Sequence, residues 1–428
     1  MMTMNSLTGR MGGAAALLAA TALLGGCDLL EVDNPGAITE GELNDPARIP
    51  LMVHGVVGEF QPAHTWYAHY TATFTDELTD THVWRENRPI DLRQVDEFNG
   101  LLATNYTRLQ RARAAGDHAA ERIREILGAD GETHLGVARA KAYAGYAMTL
   151  LAESYCEAPI DVSAAHQPDA LFGMALDRFE DAIGVATRAR AAGQNTASAD
   201  SLAYLAHVGA ARAALNRGDA GLAAEYARPV PEEFEFWSAH SSNSGREYNH
   251  FWNATRVGNA HLEIGPTFQG LDDPRILEPE EPKELQGDAV IAGLVPYRPY
   301  SYSGWNPDEP LMIEQGTDVR FSSGLEARYI VAEAEGPTAA TLALVNERRA
   351  FAGQDPVALA GDDLMAELRD QRRRDFYLTG HRLGDLRRYL AQGMNYFPTG
   401  TWPYSEQERG DDTCFPIPLS ERNSNPNL

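Results

Sequence analysis

The sequence has little cysteine and little positive charge, and both shortages narrow what the protein can be. Three cysteines occur in 428 residues, Cys27, Cys156 and Cys414. Without a fourth cysteine or a Cys-x-x-Cys pair, a cysteine-based zinc knuckle is excluded. Lysine and arginine number 36 against 61 acidic residues, so the formal net charge is −25. Because nucleic-acid phosphates require a basic surface, this balance argues against nucleic acid as a partner.

Familiar catalytic and metal-binding motifs are also missing. The chain has no Gly-x-Ser-x-Gly elbow and no Gly-rich phosphate loop after a strand. His64 and His69 are five residues apart, which disfavours a metal pair on one helix face and indicates exposed polar positions. A glycosidase-type carboxylate pair stays open, because any two of 61 acids can be paired on paper. We expect a protein without cofactor or metal that is not an enzyme.

The N-terminus contains the one long apolar run of the sequence. Residues 14–24, behind Arg10, predict a secretory signal over residues 1–26 that is too short for a permanent membrane span. Leu24-Gly25-Gly26-Cys27 resembles a bacterial lipobox, in which Cys27 is lipidated and becomes the mature N-terminus. An ordinary signal peptide with a chance cysteine is the alternative. The polar segment 27–50 then predicts a spacer, and residues 51–428 predict one domain outside the cytoplasm.

The two remaining cysteines, Cys156 and Cys414, form an even pair. In an oxidising compartment we expect a disulfide between them, whereas two buried free thiols are the other interpretation.

Helical patterns dominate residues 51–428. Residues 137–155 place tyrosines and small residues on one face, and the run ends before Pro159. A helix from Asp200 to about Leu215, a turn and a second helix up to Pro229 resemble a tetratricopeptide unit. Residues 324–352 suggest another pair, and Asp362 is predicted to cap a helix reaching about Leu378. The fold class is therefore mostly α, built on tetratricopeptide-like helix pairs.

Residues 229–323 differ from the rest of the sequence in composition, because prolines and aromatic residues accumulate there and little helical periodicity remains. Long irregular segments inside an ordered domain are usually functional loops. Tryptophan and tyrosine in such loops can stack on sugars, and nearby polar side chains can bind hydroxyl or carboxylate groups. The predicted ligand-binding residues are Trp84, Arg85, Asn87, Trp237, Tyr300, Tyr302 and Trp305. Simple packing under a loop is the alternative for each aromatic.

Both ends of the sequence resemble the SusD/RagB family of surface lipoproteins. The resemblance rests on Cys27-Asp28-Leu29-Leu30, on the segment 138–159, on Gly380-His381-Arg382 with Asp385-Leu386-Arg387-Arg388, and on the tail Phe415-Pro416-Ile417-Pro418. Leu383 and Gly384 depart from it, since the family usually has a bulky aromatic pair there. The arginines of 372–388 alternate with acids, which predicts salt-bridged helix faces rather than a basic patch.

The resemblance implies a SusD-like helical domain whose long loops bind oligosaccharides or peptides. It further implies an outer-membrane lipoprotein, lipid-anchored and surface-exposed, that delivers its ligand to a TonB-dependent SusC-like transporter. A tetratricopeptide-like scaffold for protein interactions at the cell envelope is the alternative, and an extracytoplasmic hydrolase is a third possibility.

Overall fold

The computed structural model describes residues 44–80, 85–255, 261–276, 313–402 and 406–428, together with the backbone of two short strands at 283–284 and 292–293. Helices predominate, which confirms the predicted fold class. The helices are α1 (Ile49–Phe74), α2 (Asn87–Asp91), α3 (Gly100–Leu127), α4 (Leu135–Ser154), α5 (Pro168–Ala191), α6 (Thr196–Arg217), α7 (Ala220–Ala227), α8 (His250–Thr255), α9 (Gly324–Glu335), α10 (Ala339–Phe351), α11 (Gly361–Asp375), α12 (Arg382–Ala391) and α13 (Leu419–Ser424).

The strands are short and pair in twos. They are β1 (Leu78–Asp80), β2 (Ala158–Pro159), β3 (Ala165–His166), β4 (Glu235–Ser238), β5 (Leu262–Ile264), β6 (Lys283–Glu284), β7 (Ala292–Gly293) and β8 (Val319–Ser323). The antiparallel pairs are β1 with β5, β2 with β3, β4 with β8, and β6 with β7. The sheets therefore tie loops together and leave the scaffold to the helices.

The scaffold is a row of helices in which neighbours along the chain are neighbours in space. From α3 to α7 each helix packs against the next, and α1 packs against α3 and α4. Further along, α9 packs against α7, and α10 packs against α11. This nearest-neighbour packing is the arrangement expected of tetratricopeptide-like pairs. Within the described ranges, no helix combines the length and the apolarity needed to cross a bilayer.

Two of the predicted helix starts are wrong by a few residues. The side chain of Asn195 accepts a hydrogen bond from Ser198 N at 3.1 Å and caps α6, so this helix begins before Asp200. Asp200 instead lies inside α6, where its carboxylate is 2.8 Å from Arg190 Nε. Likewise α11 begins at Gly361, so Asp362 lies in its first turn, and α11 ends at Asp375 rather than near Leu378.

The aromatic ring of Phe179 packs between two glycines at the point where helices α4, α5 and α6 approach each other closely. Phe179 of α5 is fully buried, and its ring lies against Gly145 of α4 and Gly209 of α6. A Cβ atom would be 2.7 Å from this ring at Gly145 and 2.3 Å from it at Gly209. Both distances are too short for any side chain, so the glycines give the ring the space that it needs.

The arginines of 372–388 form the predicted ion pairs with the exception of Arg387, and Arg372, Arg382 and Arg388 form theirs inside the protein. Arg372 binds both carboxylate oxygens of Asp385 at 2.8 and 3.1 Å. Arg388 binds Glu333 at 2.8 and 2.9 Å. Arg387 donates to three backbone carbonyls at the C-terminal end of α4. These contacts therefore join α12 to its neighbours.

The C-terminal tail is fastened to the end of α4. Cys156 and Cys414, the predicted pair, are joined by a disulfide with an S–S distance of 2.04 Å. Backbone bonds run from Cys156 N to the Phe415 carbonyl at 2.9 Å and from Phe415 N to the Ser154 carbonyl at 2.7 Å. The Phe415 ring is fully buried, edge-on to Phe74 and Tyr155. The tail is thus part of the core of the compact unit formed by Ile49–Leu428.

Candidate ligand-binding site

The predicted ligand-binding residues fall partly inside and partly outside the described chain. Trp84, Tyr300, Tyr302 and Trp305 lie outside the described residues, as does the predicted lipidation site Cys27. Their roles stay predictions.

Three predicted ligand-binding residues are described, and each has a different environment. Arg85 is exposed just before α2. Asn87 is 7% exposed, and its amide donates to Asp80 Oδ2 at 2.7 Å, so the amide holds α2 to β1. Trp237 is half-buried in β4, where it pairs with Arg320 of β8.

A cleft of about 840 Å³ opens between α1, α3 and the segment that leads into α8. This volume lies in the usual range for ligand pockets, roughly 300–1,000 Å³. None of the three described predicted residues lines it. Its lining residues are Glu59, Pro62, Trp66, Ala103, Thr104, Thr107, Arg108, Arg111, Gly245, Arg246, Tyr248, Asn249, His250 and Asn253.

The α3 wall is polar because of helical spacing. Thr104, Thr107, Arg108 and Arg111 recur at intervals of three and four residues, so they share one face of the helix. The opposite face carries core side chains such as Leu109, which is fully buried. The same periodicity that anchors α3 therefore presents two hydroxyls and two guanidinium groups to the cleft.

The base of the cleft is aromatic. The indole of Trp66 stacks on the imidazole of His250, with ring centroids 4.0 Å apart and planes 14° apart. The guanidinium carbon of Arg108 is 4.5 Å from the Trp66 ring centroid, a cation–π distance. Burial, followed by the charge of Arg108, lowers the pKa of His250 to about 3. At neutral pH His250 is therefore uncharged, and it can stack without repelling the arginine.

The carboxylate of Glu59 forms ion pairs with two arginines at the rim of the cleft. Glu59 Oε1 lies 3.1 Å from Arg111 Nη2 and 2.6 Å from Arg246 Nη2. These pairs bridge α1, α3 and the third wall. Among the described lining residues Glu59 is the sole carboxylate, so these walls do not provide the two catalytic acids of a typical glycosidase.

The third wall is held in place by local hydrogen bonds. Asn249 donates from Nδ2 to the Thr317 carbonyl at 2.7 Å, and it accepts from Phe251 N at 2.9 Å. Glu247 does not line the cleft and accepts hydrogen bonds from Ser241 and Ser244. Tyr248, half-buried, stands edge-on to Trp252 with centroids 5.1 Å apart. Tyr248 therefore lies in a segment whose conformation is held by hydrogen bonds on both sides of it.

His64 and His69 are buried, which corrects the prediction that they are exposed polar residues. Their exposures are 1% and 2%. Residues 62–74 of α1 are buried around nearly the whole helix, so a five-residue spacing does not bring either ring to the surface. Burial lowers the pKa of both imidazoles well below the ordinary value. The described residues contain no group of three or more histidine, cysteine or acidic side chains placed to hold a metal ion.

A chain of contacts connects the cleft to Asn87, one of the predicted ligand-binding residues. His69 lies 4.9 Å from His250 and 6.3 Å from His261, measured between ring centroids. His261 Nδ1 is 2.9 Å from Asp80 Oδ1, and Asp80 also accepts from Asn87. The base of the cleft and the start of α2 are therefore connected by continuous side-chain contacts.

None of the residues that line this cleft was predicted from the sequence. Trp66 lies in an apolar helix and reads as a core residue, and its partner His250 is 184 positions later. The only local signal was the polar stripe at 104–111 on an otherwise amphipathic helix. That stripe alone resembles any solvated helix face.

Comparisons with known proteins find one family model that matches part of the chain. Residues 326–428 match the model of the SusD family. A search of curated proteins finds no match.

Solved structures of SusD-like proteins share the fold over most of the chain. A SusD superfamily protein from Bacteroides vulgatus ATCC 8482 is 13% identical with a TM-score of 0.65, covering 90% of this chain and 98% of its own. A laminarin-binding SusD-like protein is 14% identical with a TM-score of 0.63, covering 89% and 99%. Surface glycan-binding protein A from Bacteroides uniformis is 12% identical with a TM-score of 0.64, covering 90% and 99%. The resemblance predicted from the sequence is thereby confirmed, and the fold is SusD-like.

Proposed function

We propose that this SusD-like chain is a surface lipoprotein that captures glycans in the cleft between α1, α3 and residues 245–253. The observation that carries the proposal is the composition of the cleft, an aromatic base with hydroxyls and guanidinium groups on its walls. Sugars have apolar faces and many hydroxyls, and aromatic rings with nearby polar groups suit both. The glycan-binding and laminarin-binding proteins of the same fold support this choice of ligand class.

The predicted aromatic loops belong to the same proposal. Trp84 precedes Arg85 and the start of α2, which is joined to the base of the cleft through Asp80, His261 and His69. We propose that Trp84, Tyr300, Tyr302 and Trp305 extend the ligand-binding surface, with Arg85 as a further polar contact and Trp237 as a further aromatic one. Peptide ligands remain the second choice.

Delivery completes the proposed function. Lipidation of Cys27 would hold the domain at the outer membrane beside a TonB-dependent SusC-like transporter, to which it hands the bound glycan. Replacing Cys27 with serine should move the protein from the membrane fraction to the soluble fraction of its host. Purification of the lipidated protein from membranes should recover an outer-membrane transporter, and the Cys27→Ser variant should not.

Calorimetric titration with a glycan panel that includes laminarin tests ligand capture. Tyr248→Ala should weaken binding about tenfold, since an aromatic contact is worth on the order of 1 kcal/mol beyond its burial. Tyr396→Ala is the matched control, because Tyr396 is 43% exposed and does not line the cleft. If no glycan binds, the proposal fails and the protein-interaction scaffold takes its place. If Tyr248→Ala binds as well as the wild type, the glycan site lies elsewhere.

A further inference from the structure

The charge of the cleft is opposite to the charge of the protein. The chain carries a formal net charge of −25. The described walls of the cleft contain three arginines, Arg108, Arg111 and Arg246, against Glu59 alone. This leaves an excess of two positive charges, because His250 is neutral at physiological pH. A cation-rich cleft in an acidic protein attracts anions and concentrates them locally.

Arg108 is the arginine of this set whose charge is not matched. Glu59 is paired with Arg111 and Arg246, whereas Arg108 forms no ion pair with any described residue. Its Nε atom is buried and has no hydrogen-bond partner among the described residues. Burial, and after it the neighbouring charge of Arg246, lowers the pKa of Arg108. The Arg108 guanidinium has therefore lost part of its hydration and is repelled by the positive charge of Arg246. A bound anion would supply the missing hydrogen-bond acceptor and would offset the repulsion.

Arg108 is half-buried, and several buried arginines of this chain have a carboxylate partner that Arg108 lacks among the described residues. Arg372, Arg382 and Arg388 each bind a carboxylate through two nitrogen atoms. Arg108 has the same chemistry and lies at the base of a ligand-sized cleft, but its carboxylate is not supplied by the described chain. The missing partner is therefore best sought in the ligand.

We infer that the cleft selects glycans that carry carboxylate or sulfate groups, with Arg108 as the residue that binds the anion. The inference rests on the proposed function and adds the class of sugar. Thr104 and Thr107 lie on the same helix face as Arg108, so a sugar whose anionic group meets Arg108 can place its hydroxyls against them. Arg111 and Arg246, already shared with Glu59, favour approach of the anion without being released from their own pairs.

An acidic peptide carries the same charge but fits the walls less well. Peptides commonly bind by adding a strand to an exposed sheet edge. The described walls are formed by α1, α3 and the segment into α8, and no strand of the described chain lines them. The backbone bonds of the helices are satisfied internally, so side chains must make the contacts, as they do for sugars.

A pair of ligands that differ only in charge tests the inference. Tetragalacturonate and its fully methyl-esterified form share one sugar backbone, and a sulfated carrageenan tetrasaccharide, laminarin and tetraglutamate complete the panel. The wild type should bind tetragalacturonate or the sulfated sugar at least tenfold more tightly than the ester or laminarin. That preference should shrink as salt is raised, and the tighter of the two anions identifies the group that Arg108 prefers.

Two arginine variants test whether Arg108 causes the preference for anionic sugars. Arg108→Gln should abolish the preference for the anionic sugar, because tetragalacturonate should lose at least tenfold more affinity than the methyl ester. Arg122→Gln is the control on the same helix, since Arg122 pairs with Glu125 outside the cleft and should behave as wild type. Thermal unfolding establishes that each variant is folded, and Arg246→Gln replaces Arg108→Gln if the latter does not fold, with a smaller loss of preference expected.

The outcomes separate the inference from the proposed function. Tighter binding of laminarin or the ester, unaffected by Arg108→Gln, would overturn the inference and leave glycan capture standing. Tighter binding of tetraglutamate than of every sugar would overturn the inference in favour of a peptide. Binding of no member of the panel would overturn both.

Discussion

Replacing Arg212 with methionine should expose how strongly the fold depends on one buried ion pair. Arg212 of α6 is 3% exposed, and its Nε and Nη2 bind the two carboxylate oxygens of Glu153 at 2.7 and 2.8 Å. Tyr67 and Asn216 donate to the same carboxylate at 2.8 and 2.6 Å. The pair joins α1, α4 and α6, and Arg212 also donates to the Gly380 carbonyl at 3.0 Å.

The cost follows from the charge that is left behind. Methionine preserves most of the side-chain volume but leaves the carboxylate of Glu153, 1% exposed, without its cation. Removing one partner of a buried pair typically costs about 3–5 kcal/mol. Urea unfolding of the mature, disulfide-intact protein, followed by circular dichroism, should show this loss as a lower midpoint with an unchanged slope.

A double variant separates charge from packing. Glu153→Gln combined with Arg212→Met removes the stranded charge, while the amide of the introduced glutamine retains the shape of the carboxylate. The double variant should therefore recover at least about 1 kcal/mol over Arg212→Met alone. A cost below about 1 kcal/mol for Arg212→Met, or a double variant no more stable than the single one, would refute the reasoning.

Three further predictions concern pH, the disulfide and helix packing. Burial raises the pKa of Glu77 to about 8. The folded protein therefore keeps a proton that the unfolded chain releases near pH 4.5, and this contribution to stability is lost as pH rises from there to about 8. Urea unfolding of Glu77→Gln across that window should show a smaller fall than wild type, and an equal fall would count against it. Replacing Cys156 and Cys414 with serine should lower the free energy of unfolding by about 5–6 kcal/mol, because the link closes a loop with a sequence separation of 258; a urea midpoint that does not move would contradict this. Gly209→Ala should cost about 1–3 kcal/mol, since its Cβ would meet the Phe179 ring, and a melting temperature equal to wild type would disprove the close contact.

The helix pairs were predictable because their signals are local. Asp219 accepts from Leu222 N at 3.0 Å and starts α7, directly after Gly218, which ends α6 at a φ of 92°. The run at 137–155 corresponds to α4 within two residues, and the pair at 324–352 to α9 and α10. Where a cap was chosen wrongly, as at Asp200, a better one lay five residues earlier in Asn195. Two suitable capping residues in one segment cannot be ranked without the packing around them.

The environment of α1 was not predictable by periodicity. A helix enclosed on all sides loses the contrast between an apolar and a polar face. Helix α1 contacts α3 and α4 as well as α8, and residues 62–74 are buried on nearly all sides, so His64 and His69 are both buried in spite of their different directions.

The residues that line the cleft could not be predicted from the sequence either, because no local pattern brings them together. Trp66, Arg108 and His250 are brought together by packing between three separate segments of the chain. Each residue by itself has an ordinary explanation, and the anionic selectivity that we infer depends on the neighbours that Arg108 does and does not have. The irregular segment from residue 229 onward, which was predicted to contain ligand-binding loops, supplies the third wall of the cleft.

A crystal structure of the protein with the tightest-binding oligosaccharide tests the central claim most directly. The account predicts a sugar in the cleft between α1, α3 and residues 245–253, in contact with the Tyr248 ring and with an anionic group at Arg108. A sugar bound to a different face, with this cleft empty, would contradict it.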